Sequence, residues 1–132
     1  MFRMGRRSSG LDSERMDGCV MRNRSEAQLS KTFFEWLQLA KPRCIYTAVP
    51  NGGHRNVIEA SNFKRQGVIA GAGDWVFTWD LGSGWIELKT DTGKLNPNQE
   101  AFRESCQRLG VKYEVARSLD ECISALKSWG RI

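Results

Sequence analysis

Residues 71–89 read GAGDWVFTWDLGSGWIELK. Two runs rich in aromatic and β-branched residues, DWVFTW (74–79) and WIELK (85–89), flank Asp80-Leu81-Gly82-Ser83-Gly84. That composition predicts a β-hairpin with its reversal in 80–84. Side chains two apart in a strand share a face, so Glu87 and Lys89 project together while Leu88 points into the core. An acid, Asp74, opens the first strand. Two carboxylates with the Leu88 backbone carbonyl are the hard oxygen ligands that Mg²⁺ or Mn²⁺ takes, water completing the shell. A lysine beside them can position or help deprotonate an attacking water and offset charge developing on a phosphate. Taken alone, the pattern is weak, because alternating Glu and Lys also describes an ordinary solvated strand face. A turn closed at Gly82-Ser83 would set Thr78 opposite Glu87 and leave Asp74 ~13 Å further along at ~3.3 Å per residue. Only a longer loop, a bulge or a strong bend would then bring Asp74 back.

Outward from the hairpin, helices and strands alternate. Ser25-Glu26-Ala27-Gln28 fits a capping box, and Leu29, Phe33, Trp36, Leu37 and Ala40 recur at helical spacing before Pro42. RCIYTAV (43–49) has strand composition, Pro50-Asn51-Gly52-Gly53 that of a turn. Residues 56–66 suit a short helix stopped by Gly67 in the left-handed conformation. Asn96-Pro97 opens a helix that closes at Gly110; KYEVA (112–116) follows as a strand. Ser118 to Glu121 is a second capping box, with Cys122, Ile123, Leu126 and Trp129 as the apolar stripe behind it. The order α-β-α-β-β-α-β-α implies an α/β fold, a mixed sheet flanked by helices.

The 132 residues support one domain. We divide them into a basic leader, 1–24, and a folded domain, 25–132. Net charge is +5, but up to Ser25 there are six arginines against three acids, leaving 14 basic and 12 acidic residues beyond it. A polyanionic partner is therefore favoured by particular residues rather than by bulk charge. The leader either touches DNA phosphates or precedes a later start at Met4, Met16 or Met21. Four scattered cysteines with a single histidine, His54, argue against zinc and disulfides. With neither a signal-peptide h-region nor an apolar run near ~18 residues, the expected setting is the cytoplasm.

Three further strings, PNGGHRNVIEASNFKRQGVIAGAGDWVF (50–77), IELKTDTGKLNPNQEAF (86–102) and LGVKYEVARSLDECISAL (109–126), complete a pattern from Glu26 almost to the C-terminus. It resembles the VRR-NUC domains of the PD-(D/E)xK nuclease superfamily. The resemblance implies a restriction-endonuclease-like fold and metal-dependent hydrolysis of DNA. By it, Asp74 is the motif aspartate, Glu87 and Lys89 are the E-x-K pair, Glu26 is an acid that often joins the metal site, and Gln99 is the glutamine after a GKLS-like segment, here Gly93-Lys94-Leu95-Asn96. Proline usually precedes the aspartate in this family; Gly73 stands there in this chain. Duplex or branched DNA as partner, junction or flap selectivity, a homodimer, a helicase or replication partner, and a bacterial or phage-infected cell as the setting follow from kinship.

Several of these residues have a second reading. Glu26 lies in a first helical turn, where any acid suits the helix dipole. Gln99, three residues past Asn96, either caps that helix or positions lysine and phosphate. Asn51, Gly52, Gly53 and Arg55 suit a phosphate-binding loop, as well as an ordinary turn. Lys64, Arg65 and Lys94 extend a basic track or simply face solvent. The five tryptophans are assigned to burial first. Two rival functions stand beside the DNA nuclease: a non-catalytic DNA- or partner-binding module with the same fold, and a nuclease for RNA or single strands.

Overall fold

The computed structural model describes residues 25–50 and 57–132. In them the chain runs α1 (Glu26–Ala40), β1 (Ile45–Ala48), α2 (Val57–Arg65), β2 (Trp75–Trp79), β3 (Gly82–Leu88), α3 (Pro97–Leu109), β4 (Lys112–Ala116) and α4 (Leu119–Ser128). This is the expected order. The leader and the loop bearing Asn51, Gly52, Gly53, His54 and Arg55 lie outside the described residues.

Helix boundaries follow the capping chemistry. Ser25 accepts a hydrogen bond from the Gln28 N–H and starts α1, and Lys41, at φ 49°, ends it just before Pro42. Asn96 and Gln99 form a complete capping box on α3 with Pro97 at its first position, and Gly110 closes the helix in the left-handed conformation. Ser118 caps α4 as expected. Glu121, however, reaches past Ser118 to accept from the Arg117 N–H at 2.7 Å. Arg117 in turn donates to the carbonyls of Thr90 and Gly93, fastening the segment between β3 and α3.

The sheet order is β1-β2-β3-β4, antiparallel except for the parallel β3–β4 pair, which α3 bridges. Alternation then sorts the side chains. Trp75, Phe77, Ile86 and Leu88 face α1 and α4, meeting Leu29, Phe33, Leu37, Cys122, Leu126 and Trp129 in the main core. Trp85, Glu87 and Lys89 face the other way. There Trp85 packs edge-on against Phe102 of α3, which also meets Tyr113 of β4. Trp75 and Trp129 are buried, and Trp36 and Trp79 are partly buried against the same core. Burial accounts for most of the aromatic excess. Cys44, Cys106 and Cys122 are free thiols.

The hairpin departs from its expected register. The reversal occurs at Asp80-Leu81, with Leu81 at φ 66° and 99% exposed, and Gly82, Ser83 and Gly84 belong to β3. Trp79 pairs with Gly82, and Trp75 with Ile86. The glycines serve space rather than turning: a Cβ on Gly82 would lie 2.4 Å from the Trp79 indole, and one on Gly84 2.6 Å from Trp129. A glycine-rich string beside tryptophans is thus a strand thinned to admit two indoles. The earlier turn removes the expected ~13 Å offset and sets Asp74 beside the end of β3 without a bulge to rescue it.

A strand residue wedged against Trp129 tolerates no added carbon. Gly84→Ala should cost about 1–3 kcal/mol through overpacking, lowering the midpoint of thermal unfolding by several degrees, whereas Ser83→Ala should stay within about 0.5 kcal/mol. Equal effects in urea or thermal denaturation would return 82–84 to a loop.

Candidate active site

Asp74 is the last residue before β2, and its backbone is held from both sides. Its N–H donates to the Ile86 carbonyl at 3.0 Å, and its carbonyl accepts from Val49 at 2.8 Å. Its carboxylate accepts from the Leu88 N–H at 2.7 Å. These three bonds do what a preceding proline would otherwise help to do. Gly73 has a different reason to lack a side chain, since a Cβ there would come 3.0 Å from the Trp85 ring.

Glu87 reaches the same place from β3 and is only 2% exposed. The Gln99 amide donates to its Oε2 at 2.9 Å. The other end of that amide accepts the Asn96 N–H at 2.9 Å, so Gln99 caps α3 and holds Glu87 at once. Of the two roles expected as alternatives the cap is filled, and the other end of the amide goes to Glu87 rather than to lysine. Lys89 shares Glu87's face with Nζ 4.0 Å from Oε2, and its side chain is largely buried. Glu87 Oε1 is buried without a hydrogen-bond partner.

Electrostatics follow from this crowding. Burial, then the charge of Asp74, pushes the Glu87 carboxyl up to about 8, against the opposing pull of Lys89. Burial also raises Asp74, while the Leu88 N–H works the other way. Behind them, burial and then Glu87 raise the Tyr113 phenol, whose oxygen, like Arg103 Nε, is enclosed without a partner. Two carboxylates that face each other out of water require positive charge between them. A proton or a cation between them would answer that need.

Divalent cations suit the same donor set. Asp74 and Glu87 are hard oxygen donors, one oxygen is unclaimed, and in an extended strand the Leu88 carbonyl points to the same edge as its N–H. Glu26, in the first turn of α1, lines the cleft and raises Glu87 by its charge. Among the described residues it does not join Asp74 and Glu87 in a three-ligand cluster. The centre has two carboxylates with a third standing off.

These groups open into a cleft of about 740 Å³ that sequence reading did not outline. One wall comes from α2 and the segment after it, with Phe63, Lys64, Val68, Ile69 and Gly71; α3 adds Asn98. Gly71, at φ 87°, lies where a Cβ would strike the Asn98 backbone at 2.4 Å, which explains the glycine at that position. Lys64 thus lies at the site. Arg65 instead bonds Asn62, and Lys94 is exposed and not among the cleft's lining residues.

A family model described as the VRR-NUC domain matches residues 13–120. A solved structure, a VRR_NUC domain protein, superposes with a TM-score of 0.66 at 22% identity, covering 83% of this chain and 90% of that one. At that identity the likeness speaks to the fold alone. No curated protein matches the chain. Among the described residues, no helix is long and apolar enough to cross a membrane.

The raised Glu87 carboxyl makes stability depend on pH. An unfolded glutamate titrates near ~4.3, so between there and about 8 the folded state holds more proton than the unfolded. Stability is then full below the lower value and falls as pH rises through the window, by at most about 1.4 kcal/mol per pH unit for this group. Asp74 acts in the same direction. Metal-free protein should melt lower at pH 8 than at pH 5, and Glu87→Gln should flatten that decline; an unchanged slope would mean that Glu87 carries no extra proton.

Proposed function

The chain belongs to the VRR-NUC domain family, a family of nuclease type, and from that premise we propose that it is a divalent-metal-dependent endonuclease acting on DNA. The observation that carries this reading is the pairing of half-buried Asp74 with buried Glu87 at an open cleft, one Glu87 oxygen without a hydrogen-bond partner and the Lys89 ammonium 4.0 Å from the other. A purely structural Glu–Lys face would be solvated. Here Glu87 and Lys89 are both buried, at a cost in desolvation that a folded scaffold does not require.

Asp74 and Glu87 would hold Mg²⁺ or Mn²⁺ with the Leu88 carbonyl, and Glu26 would act through water. When bound, such an ion polarises a phosphoryl oxygen and makes a coordinated water a better nucleophile. The chain's own groups do the positioning. Leu88 fixes the Asp74 carboxylate through its N–H, and Gln99 fixes Glu87 through its amide. Lys89 donates to the attacking water and to the phosphate as negative charge grows on it. Water oxygen bonds to phosphorus as the bond to the leaving sugar oxygen breaks. Lys64 supplies a cation to the strand's backbone in the cleft. The N-terminus of α3, at the cleft, favours anions further.

Kinship extends the proposal to branched DNA, junctions or flaps met in replication, repair or recombination, to a homodimer, and to a helicase or replication partner that presents the DNA. Asn51, Gly52, Gly53 and Arg55 remain proposed phosphate contacts, with Lys94 as an outlying one.

Nicking and cleavage of plasmid, linear duplex, flap and four-way junction DNA, each with Mg²⁺, Mn²⁺ or EDTA, test the reading. Cleavage should require metal. Asp74→Ala and Lys89→Ala should each lower it at least about a hundredfold. Gln99→Ala should slow it less, by loosening Glu87 rather than removing a ligand. Folded protein that cuts none of these substrates with either metal would contradict the proposal.

A further inference from the structure

Lys89 is held by its stem rather than by its head. The ammonium stands 4.0 Å from Glu87 Oε2, too long for a hydrogen bond, yet the side chain is only 10% exposed. A flexible four-carbon stem would let that charge swing out to water unless something covered it. Lys89 is also the first residue past β3. Its N–H still bonds the Ala116 carbonyl, but beyond it the chain leaves the sheet.

A turn, Thr90 to Gly93, lies against the stem. Gly93 donates to the carbonyl and the hydroxyl of Thr90 at 3.2 and 3.1 Å. It packs so close that a Cβ on it would stand 3.4 Å from Lys89 Cδ. The sequence Thr90-Asp91-Thr92-Gly93 offers no large apolar side chain to anchor that turn. Arg117 anchors it instead. Its Nη1 donates to the Thr90 carbonyl at 2.7 Å and to the Gly93 carbonyl at 2.6 Å, the two ends of the turn. Charge-assisted bonds of this length are the strong kind. The backbone of Arg117 is fixed in turn, since its N–H donates to Glu121 of α4. Extending the Leu88–Ala116 register by one residue sets Arg117 beside Lys89 on the same face. Two neighbouring cations repel unless each is spent elsewhere. Here Arg117 is spent on carbonyls, and Lys89 is left to face Glu87. The end of β4 thus grips the lysine twice, through backbone at Ala116 and through the turn at Arg117.

We propose that Arg117 is a positioning residue for Lys89: by clasping the 90–93 turn it keeps the lysine stem buried and the ammonium at the Asp74–Glu87 pair. The inference rests on the nuclease reading, in which Lys89 serves the attacking water, and assigns a residue that acts through that lysine.

The test is acetylation of full-length, metal-free protein by acetic anhydride, followed at Lys89 by mass spectrometry with exposed Lys127 as the internal reference. Arg117→Met keeps a stem of similar shape and removes the donors; Arg117→Lys keeps the cation and its donors. Arg117→Met should speed acetylation of Lys89 at least about tenfold, because losing a charged hydrogen bond raises the open population by that order. Arg117→Lys should recover much of the protection. Gly84→Ala, which disturbs the main core instead, should leave Lys89 as slow as in wild type. In cleavage assays Arg117→Met should lower the rate at saturating DNA while affinity for DNA in Ca²⁺ stays the same. Equal acetylation of Lys89 in wild type and Arg117→Met would overturn the proposal. So would a matching rise in Gly84→Ala, which would make Lys89 a reporter of general loosening. Weakened DNA binding with Lys89 still protected would also overturn it and make Arg117 a phosphate contact. The acetylation result does not depend on cleavage, so folded protein that shows it yet cuts no DNA would end the nuclease reading and leave the clasp on Lys89 standing.

Discussion

Two carboxylates brought together out of water govern this structure. Asp74, just before β2, and Glu87 of β3 meet at one end of the sheet, where burial raises both and the charge of Asp74 raises Glu87 further. Such a pair would fly apart or be solvated unless the surroundings held it. Here the holding groups are backbone N–H of Leu88, the Gln99 amide and the Lys89 ammonium. Each belongs to an element whose position is set elsewhere. Gln99 is fixed by the cap of α3, and Lys89 continues β3 with its N–H bonded to Ala116 of β4. Asp74 is fixed by its neighbours on both sides. The helices and the parallel crossover thus hold together a pair whose electrostatic strain a bound cation would relieve.

Much of this is legible in the amino-acid sequence. Element order followed from helical periodicity, caps and β-branched runs, because each of these expresses a local constraint. Glu87 and Lys89 share a face by strand parity alone. The hairpin register was not legible. Asp80-Leu81-Gly82-Ser83-Gly84 offers glycines as if for a turn, yet Gly82 and Gly84 are small because Trp79 and Trp129 lie against them. One of those tryptophans comes from the far end of the chain. No local pattern carries that information, and the four-residue difference decided whether Asp74 could meet Glu87 at all.

The cleft was hidden for a similar reason. Phe63, Val68, Ile69 and Gly71 read as a helix end and a small-residue linker, and only the fold sets them across from the carboxylates. Gln99 shows how a local signal can be correct and incomplete: its capping role was visible in sequence spacing, but its bond to Glu87 needed the sheet. Family resemblance bridged part of that gap by marking Gln99. It could not mark Phe63, which no motif singles out.

The central claim is that the Asp74–Glu87 pair is a cation site, and it is tested most directly by diffraction from crystals grown with Mn²⁺. The account predicts an anomalous difference peak between the two carboxylates, within coordination distance of both and beside the Leu88 carbonyl, that disappears in Glu87→Gln. Mn²⁺ bound elsewhere, with no peak between the two carboxylates, would contradict it.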